Sequence, residues 1–221
     1  VQQHPLPRFL LISSLDAREP HLSPYASSKR QGEHTLAALS GEMPWTAFRP
    51  SAVYGPGDRE LLPLFRWVGR GIAPIIGPKD ARFSLLYVED LAAAVRIWLA
   101  KSPRTGVVYE LHDGRPNGYS YRELIQIVAG MHSRRPLPIS IPPFILNFLA
   151  VLNLASAKTV GYQPMLTPGK VRELRHANWV CDNKELNRET GWKPQISINE
   201  GLKLTLFGGD LSENENSIAK D

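Results

Sequence analysis

The first hydrophobic run, Phe9-Leu10-Leu11-Ile12, is continuous rather than alternating and stops at Ser13-Ser14. Such a run predicts a strand buried on both faces, as in a parallel sheet covered by helices. Ser23 offers a cap for a helix start, Pro24 suits its first turn, and the helix is expected to reach about Leu39 before Gly41. Trp45–Val53 resumes an extended pattern and breaks at Tyr54-Gly55-Pro56-Gly57, a dense turn signal. A helix over Glu60–Val68, a strand over Phe83–Tyr87, a helix over Asp90–Lys101 and a strand over Val107–Leu111 are then expected. Asp90 reads as the N-cap of its helix.

Beyond Asp113-Gly114 the pattern turns mainly helical. Ser120-x-x-Glu123, Asp182-x-x-Glu185 and Ser197-x-x-Glu200 each place an acid where it can satisfy a free amide at a helix start. Thr167-Pro168 opens a further helix through His176. From Gly209 the chain is rich in Asn, Glu and Ser, the composition of a disordered tail. Strand–helix alternation in the first half predicts an α/β domain with a parallel sheet over 1–115. A mainly helical lobe is expected over 116–208 and a tail over 209–221, with room for part of the sheet to recur later in the chain.

The 221 residues, 43% hydrophobic and 21% charged, suit a globular chain with a sizeable core and exclude collagenous or wholly disordered classes. No apolar run reaches the roughly 18 residues of a membrane span. The nearest, Phe144–Ala155, is interrupted by Asn147 and Asn153 and reads as a packed helix of the second lobe. Val1–Pro5 lacks the basic cap and apolar core of a secretory signal. Cys181 is the single cysteine, which excludes an internal disulfide and a Cys-rich zinc site and suits a reducing cytoplasm. The six His show no metal-ligand spacing, so no metal is expected.

The formal net charge is +5, and the acids of the tail leave the body before it more basic still. A basic body suits an anionic small molecule or a phosphate-bearing cofactor. Nucleic acid is not expected, because the cations are scattered among acids and no recognition motif accompanies them.

Tyr25-Ala26-Ser27-Ser28-Lys29 puts Tyr25 and Lys29 on one face of the capped helix. A nearby ammonium favours a phenolate, so Lys29 is expected to lower the Tyr25 pKa and make the phenol a usable acid or base. Taken alone, the spacing reads as a surface Tyr packed on a Lys stem. Ser14 changes that reading, because it stands at the carboxyl end of a buried strand, where ligands of open α/β sheets bind. A hydroxyl beside a Tyr–Lys pair is what hydride transfer at a carbonyl or alcohol requires: one group polarises the substrate oxygen and another exchanges its proton.

On these residues the sequence resembles the short-chain dehydrogenase/reductase superfamily, and within it the extended branch, the NAD-dependent epimerase/dehydratase family. The matching blocks are Ile12-Ser13-Ser14, Tyr25-Ala26-Ser27-Ser28-Lys29, Arg49-Pro50-Ser51-Ala52-Val53-Tyr54-Gly55-Pro56-Gly57-Asp58 and Phe83-Ser84-Leu85-Leu86-Tyr87-Val88-Glu89-Asp90-Leu91, with Thr190-Gly191-Trp192-Lys193-Pro194 and Gly201-Leu202 near the end. The resemblance implies catalytic roles for Ser14, Tyr25 and Lys29, with Ser13 as the alternative hydroxyl. It implies cofactor contacts from Ser13, Lys29, Pro50, Ser51, Ala52 and Val53, the last four lying against the nicotinamide.

Family members begin with a strand, a glycine-rich turn and a helix that holds the pyrophosphate, and this sequence contains no such turn. The resemblance therefore implies the C-terminal part of a Rossmann-like parallel-sheet domain plus a smaller, mainly helical substrate lobe. About a hundred residues of the family pattern would lie upstream, supplied elsewhere in a longer protein or lost from the gene product. The implied activity is NAD- or NADP-dependent epimerisation, dehydration or reduction at a secondary alcohol or ketone of a small, sugar-nucleotide-like or lipid-like substrate. The alternative is a non-catalytic subunit or inactive remnant on the same scaffold. An apolar sheet edge left unpaired would favour self-association or a homodimer.

Overall fold

Phe9–Ile12 forms β1, but not the strand buried on both faces that its run predicts: it ends the order of its sheet, and Phe9 and Ile12 are exposed. A 3-10 turn over Leu15–Arg18 then leads to α1 (Pro24–Leu39), β2 (Trp45–Pro50) and β3 (Ala52–Tyr54). Next come α2 (Leu62–Gly69), β4 (Ile72–Ile75), β5 (Arg82–Phe83), β6 (Leu85–Tyr87), α3 (Val88–Lys101) and β7 (Val107–Leu111). The second half holds β8 (Tyr119–Ser120), α4 (Tyr121–Met131), β9 (Leu137–Ser140), α5 (Pro143–Val160) and α6 (Pro168–Leu174). It closes with β10 (Asn178–Trp179), α7 (Lys184–Thr190) and α8 (Ile198–Ile218). This computed structural model describes residues 8–218 except 40, 42, 102, 103 and 134.

The main sheet has the order β1-β2-β7, and both pairings are parallel, with Ile12 beside Phe48 and Pro50 beside Leu111. Parallel neighbours need a crossover, and α1 supplies the one from β1 to β2. The sheet residues Phe48, Tyr109 and Leu111 pack with Ala94 and Trp98 of α3, Leu186 of α7, and Trp192. Trp98 and Trp192 are fully buried, and truncating either to Ala would cost about 3–5 kcal/mol. Thus α7, although late in the chain, completes the first-half core.

A second core forms around Tyr54, Leu85 and Tyr87, where β3 pairs in parallel with β6. Phe65 and Val68 of α2, Leu124 and Val128 of α4, and Leu202 of α8 close over it. The capping box at α4 is complete: Ser120 Oγ accepts from the Glu123 amide, and the Glu123 carboxylate accepts from the Ser120 amide.

Several elements differ from the sequence expectation. Phe83–Tyr87 is two short strands divided at Ser84, whose amide donates to the Trp179 carbonyl and whose Oγ accepts from the Cys181 amide. Asp90 is not a cap, because α3 already starts at Val88. Its buried carboxylate instead accepts from the amides of Gln195 and Ile196 at 2.8 and 3.0 Å. The helix after Asp182 has Asn183 at its N-cap without a side-chain bond, and Asp182 accepts from the Lys184 amide. The backbone of α8 runs helically to Ile218, through much of the stretch whose composition suggests a tail. Helix extension from an anchored first half, with Leu202 and Thr205 buried, costs far less than a new nucleus. Residues 219–221 lie outside the described residues.

The largest difference is α5. It has 18 residues where the pattern suggests about a dozen, and by length and composition it is long and apolar enough to cross a membrane. Of its side chains only Leu146, Ala150 and Ala157 are buried, so the expected packed helix is packed along one stripe alone. Asn153 does not interrupt it, because its amide donates to the Leu166 carbonyl and its side-chain oxygen accepts from Tyr162.

Candidate active site

β1 ends at Ile12, and the chain then presents Ser13 and Ser14 at the carboxyl end of the sheet. Ser13 is buried, its amide donates to the Phe48 carbonyl, and its hydroxyl donates to Glu33 Oε1 at 2.5 Å. Glu33 in turn receives Arg49 as a fork, Nε to Oε1 at 2.8 Å and Nη2 to Oε2 at 2.5 Å. The Ser13 side chain is therefore committed to a buried network. Any Ser13 contact with a cofactor would not come from its hydroxyl.

Ser14 is half-buried and N-caps the 3-10 turn, accepting from the Asp16 amide at 3.2 Å and donating to Asp16 Oδ2 at 2.8 Å. Tyr25 rises from the first turn of α1, which Ser23 caps through the Ala26 amide at 2.9 Å. Its side chain is 48% exposed and open to a ligand. Burial of the remainder raises the Tyr25 pKa above its ordinary 10.0 and outweighs the neighbouring Ser14 hydroxyl, which favours the phenolate by hydrogen bonding. Asp16 adds to the rise and Lys170 opposes it.

This corrects the expectation that Lys29 lowers the Tyr25 pKa. Lys29 does meet Tyr25, but its ammonium stands over the ring, 5.6 Å from the centroid, and donates to the Ile12 carbonyl at 3.1 Å. Over a ring face the cation is attracted by the π cloud. Ser14, Tyr25 and Lys29 nonetheless converge at the end of β1, which is where their spacing places them.

β2 and β3 carry the remaining expected residues. Pro50 ends β2, Ser51 is buried with its amide donating to the Leu111 carbonyl, Ala52 is exposed and Val53 is half-buried. Ser51 Oγ is buried with no hydrogen-bond partner, an unmet polar group in the segment expected to face a cofactor. That orphan, the exposed Ala52 and the Lys29 ammonium fit a bound dinucleotide. A polar cleft of about 220 Å³ lined by Arg49, Glu110, Asp182 and Glu185 shares no residue with the trio.

Sequence reading missed a cluster brought to the site by the second half. Lys170 of α6 donates to Glu60 at 2.6 Å and lies 3.6 Å from Glu173, and the Ser23 hydroxyl donates to Glu173. Burial would lower the Lys170 pKa, but the carboxylates of Glu60, Glu173 and Asp16 raise it on balance. α6 can sit this close because Gly169 has no Cβ; one there would come within 2.8 Å of Ser23. No local pattern marks Lys170, because its partners are distant in sequence.

A parallel β1-β2-β7 sheet with Ser14, Tyr25 and Lys29 at its carboxyl end defines a Rossmann-like α/β chain. Residues 9–111 match the family described as NAD dependent epimerase/dehydratase, and this part of the chain belongs to that family. The chain is 39% identical over 175 residues to the ceramide reductase of Caulobacter vibrioides, covering 78% of this chain and 53% of that protein. It is 28% identical over 193 residues to the 2-alkyl-3-oxoalkanoate reductase of Stenotrophomonas maltophilia, covering 84% and 58%. The chain thus spans little more than half the length of these relatives. The fold matches DesIV, a dTDP-glucose 4,6-dehydratase from Streptomyces venezuelae, at TM-score 0.67 with 19% identity, over 94% of this chain and 61% of that one.

Proposed function

We propose that the protein carrying this chain is an NAD(P)-dependent reductase that interconverts a ketone and a secondary alcohol on a lipid-like substrate. The observation that carries this reading is the convergence of Tyr25 with the Ser14 hydroxyl and the Lys29 ammonium at the end of β1. Two relatives named as reductases of a ceramide and of a 2-alkyl-3-oxoalkanoate favour a lipid-like substrate over a nucleotide sugar.

Lys29 and the Pro50–Val53 segment would hold the nicotinamide end of the cofactor. When bound, the nicotinamide supplies or accepts the hydride. In the reducing direction Ser14 Oγ holds the substrate oxygen by a hydrogen bond and Tyr25 gives that oxygen its phenolic proton. A raised phenol pKa keeps the proton in place at neutral pH, which suits a general acid. The proton is restored to the phenolate from solvent through the exposed face of Tyr25, while Lys29, whose ammonium stands over the ring, holds that ring in place. In the oxidising direction the same groups run in reverse.

The test is consumption of NADH or NADPH by the protein carrying this chain, with a long-chain 3-oxo lipid or a nucleotide-activated 4-keto sugar as substrate. Turnover of the oxo lipid is expected. Tyr25→Phe should lower kcat by about 10²–10⁴-fold with cofactor affinity little changed. Turnover of the sugar alone, or a Tyr25→Phe variant as active as the parent, would overturn the reading.

A further inference from the structure

We propose that α5 docks in the plane of an anionic phospholipid bilayer, with its outer apolar face at the boundary between headgroups and acyl chains. A helix that is apolar on most sides needs cover on most sides. α5 has cover on one: Leu146 and Ala150 pack against Val171 of α6, with Ile76, Ile141 and Leu166 around them. The opposite side presents Phe144, Phe148, Val151 and Leu152, which are 72, 63, 54 and 48% exposed. Their spacing of four, three and one residues keeps them on a single face of the helix.

Charge says what covers that face. Between Glu123 and Glu173 the sequence contains no Asp or Glu, and although Lys170 in that stretch is taken up by Glu60 and Glu173, Arg135 and Lys158 are exposed. The chain as a whole has 21 acids, so this acid-free segment is a marked local bias. Arg135 and Lys158 are exposed on either side of the apolar residues in sequence, one before β9 and one in the last turn of α5. Apolar side chains on one helix face, flanked in sequence by exposed cations and with no carboxylate in α5 itself, match the surface of a bilayer rich in anionic lipid.

The same packing argues for docking in the plane over insertion across it. α5 is held along its length by the Leu146, Ala150 and Ala157 stripe, and its N-terminus follows β9, which pairs with β4 in parallel. Crossing the membrane would strip that stripe from α6 and break the strand pair. Lying flat leaves both intact.

The experiment is co-sedimentation of the full 221-residue chain with vesicles of phosphatidylcholine alone or mixed with phosphatidylglycerol. It reads binding without turnover, so its outcome is independent of the reductase reading. Binding to the mixed vesicles is expected, with little to phosphatidylcholine alone and loss at high salt. The double variant Phe148→Glu/Leu152→Glu should abolish it, and Lys158→Gln should weaken it roughly fivefold. All three positions are exposed, and circular dichroism checks the fold; Phe144→Ser/Val151→Ser provides a second, uncharged pair expected to lose binding as well. No binding to either vesicle at low ionic strength would overturn the proposal, as would folded double variants that bind like the parent. A dimer in light scattering that Phe148→Glu/Leu152→Glu dissolves, without vesicle binding, would assign the face to a second copy instead.

Discussion

Glu33 and Arg49 form a two-pronged ion pair next to the cluster of Ser14, Tyr25 and Lys29, with the Arg49 guanidinium fork matching both carboxylate oxygens at 2.8 and 2.5 Å. The pair ties α1 to β2, while Ser13 ties the same carboxylate to the end of β1. One buried charge therefore fixes the three elements that carry Tyr25, Ser14 and the Pro50–Val53 segment.

Removing one member of this pair should be costly, because it leaves the other charged and dry. Glu33→Ala is expected to lose about 3–5 kcal/mol in urea unfolding, and the double variant Glu33→Ala/Arg49→Met less than the sum of the singles. Additive losses would show that the two side chains do not interact.

The pair also sets an acid limit. Burial opposes ionisation of Glu33, yet the hydrogen bonds from Arg49 and Ser13 hold its pKa below the ordinary 4.5. A depressed folded-state pKa gives stability that is present above the unfolded value and lost as pH falls through the folded one. Denaturant midpoints should therefore drop steeply below pH 4.5 in the parent and less steeply in Glu33→Gln. Equal slopes would remove Glu33 from the account.

Tyr25 offers a second titration of opposite sense. Its phenol, raised chiefly by burial, should ionise above 10.0. The ultraviolet phenolate signal that disappears in Tyr25→Phe is the readout. A Tyr25-dependent inflection below the ordinary tyrosine value would mean that Lys29 dominates after all.

Gly118 is required where it stands. Its φ is +57°, and a Cβ would lie 2.4 Å from the Phe83 carbonyl oxygen. Gly118→Ala should destabilise by about 1–3 kcal/mol. Gly130, inside α4 with open space around its Cα, should instead gain about 0.5–1 kcal/mol as Ala. Thermal melts of the two variants should move in opposite directions.

Asp90 accepts two backbone amides from the segment before α8. Asp90→Ala would remove the acceptor from both part-buried amides and should cost about 1–3 kcal/mol. Asp90→Asn, which keeps one acceptor, should cost less in the same melt.

Local signals carried much of this fold into view. The apolar run at Phe9–Ile12, the Ser23-Pro24 start of α1, the Ser120 capping box and the Tyr25/Lys29 spacing depend on neighbours within a few residues, and each has its counterpart in the structure. What sequence reading missed is non-local. Glu33 looks like a solvated helix position until Arg49 arrives from another strand, and Asp90 looks like a cap until residues 195 and 196 fold back on it. The β4–β9 pair has no pattern to announce it, because Pro74 and Pro138 within it argue against strands. Exposure of α5 is likewise invisible in a hydrophobic pattern, which registers what a helix can bury and not what is there to bury it.

The hydroxyl of Ser23 serves two elements at once. It caps α1 through the Ala26 amide and donates to Glu173 of α6, while Gly169 fits against Ser23 too closely for any side chain. A hinge that swung α6 outward would break the latch on the helix carrying Tyr25. These two helices therefore travel as one rigid body. On the reductase reading, substrate would reach Tyr25 by the exposed flank of its ring, without a hinge between α1 and α6.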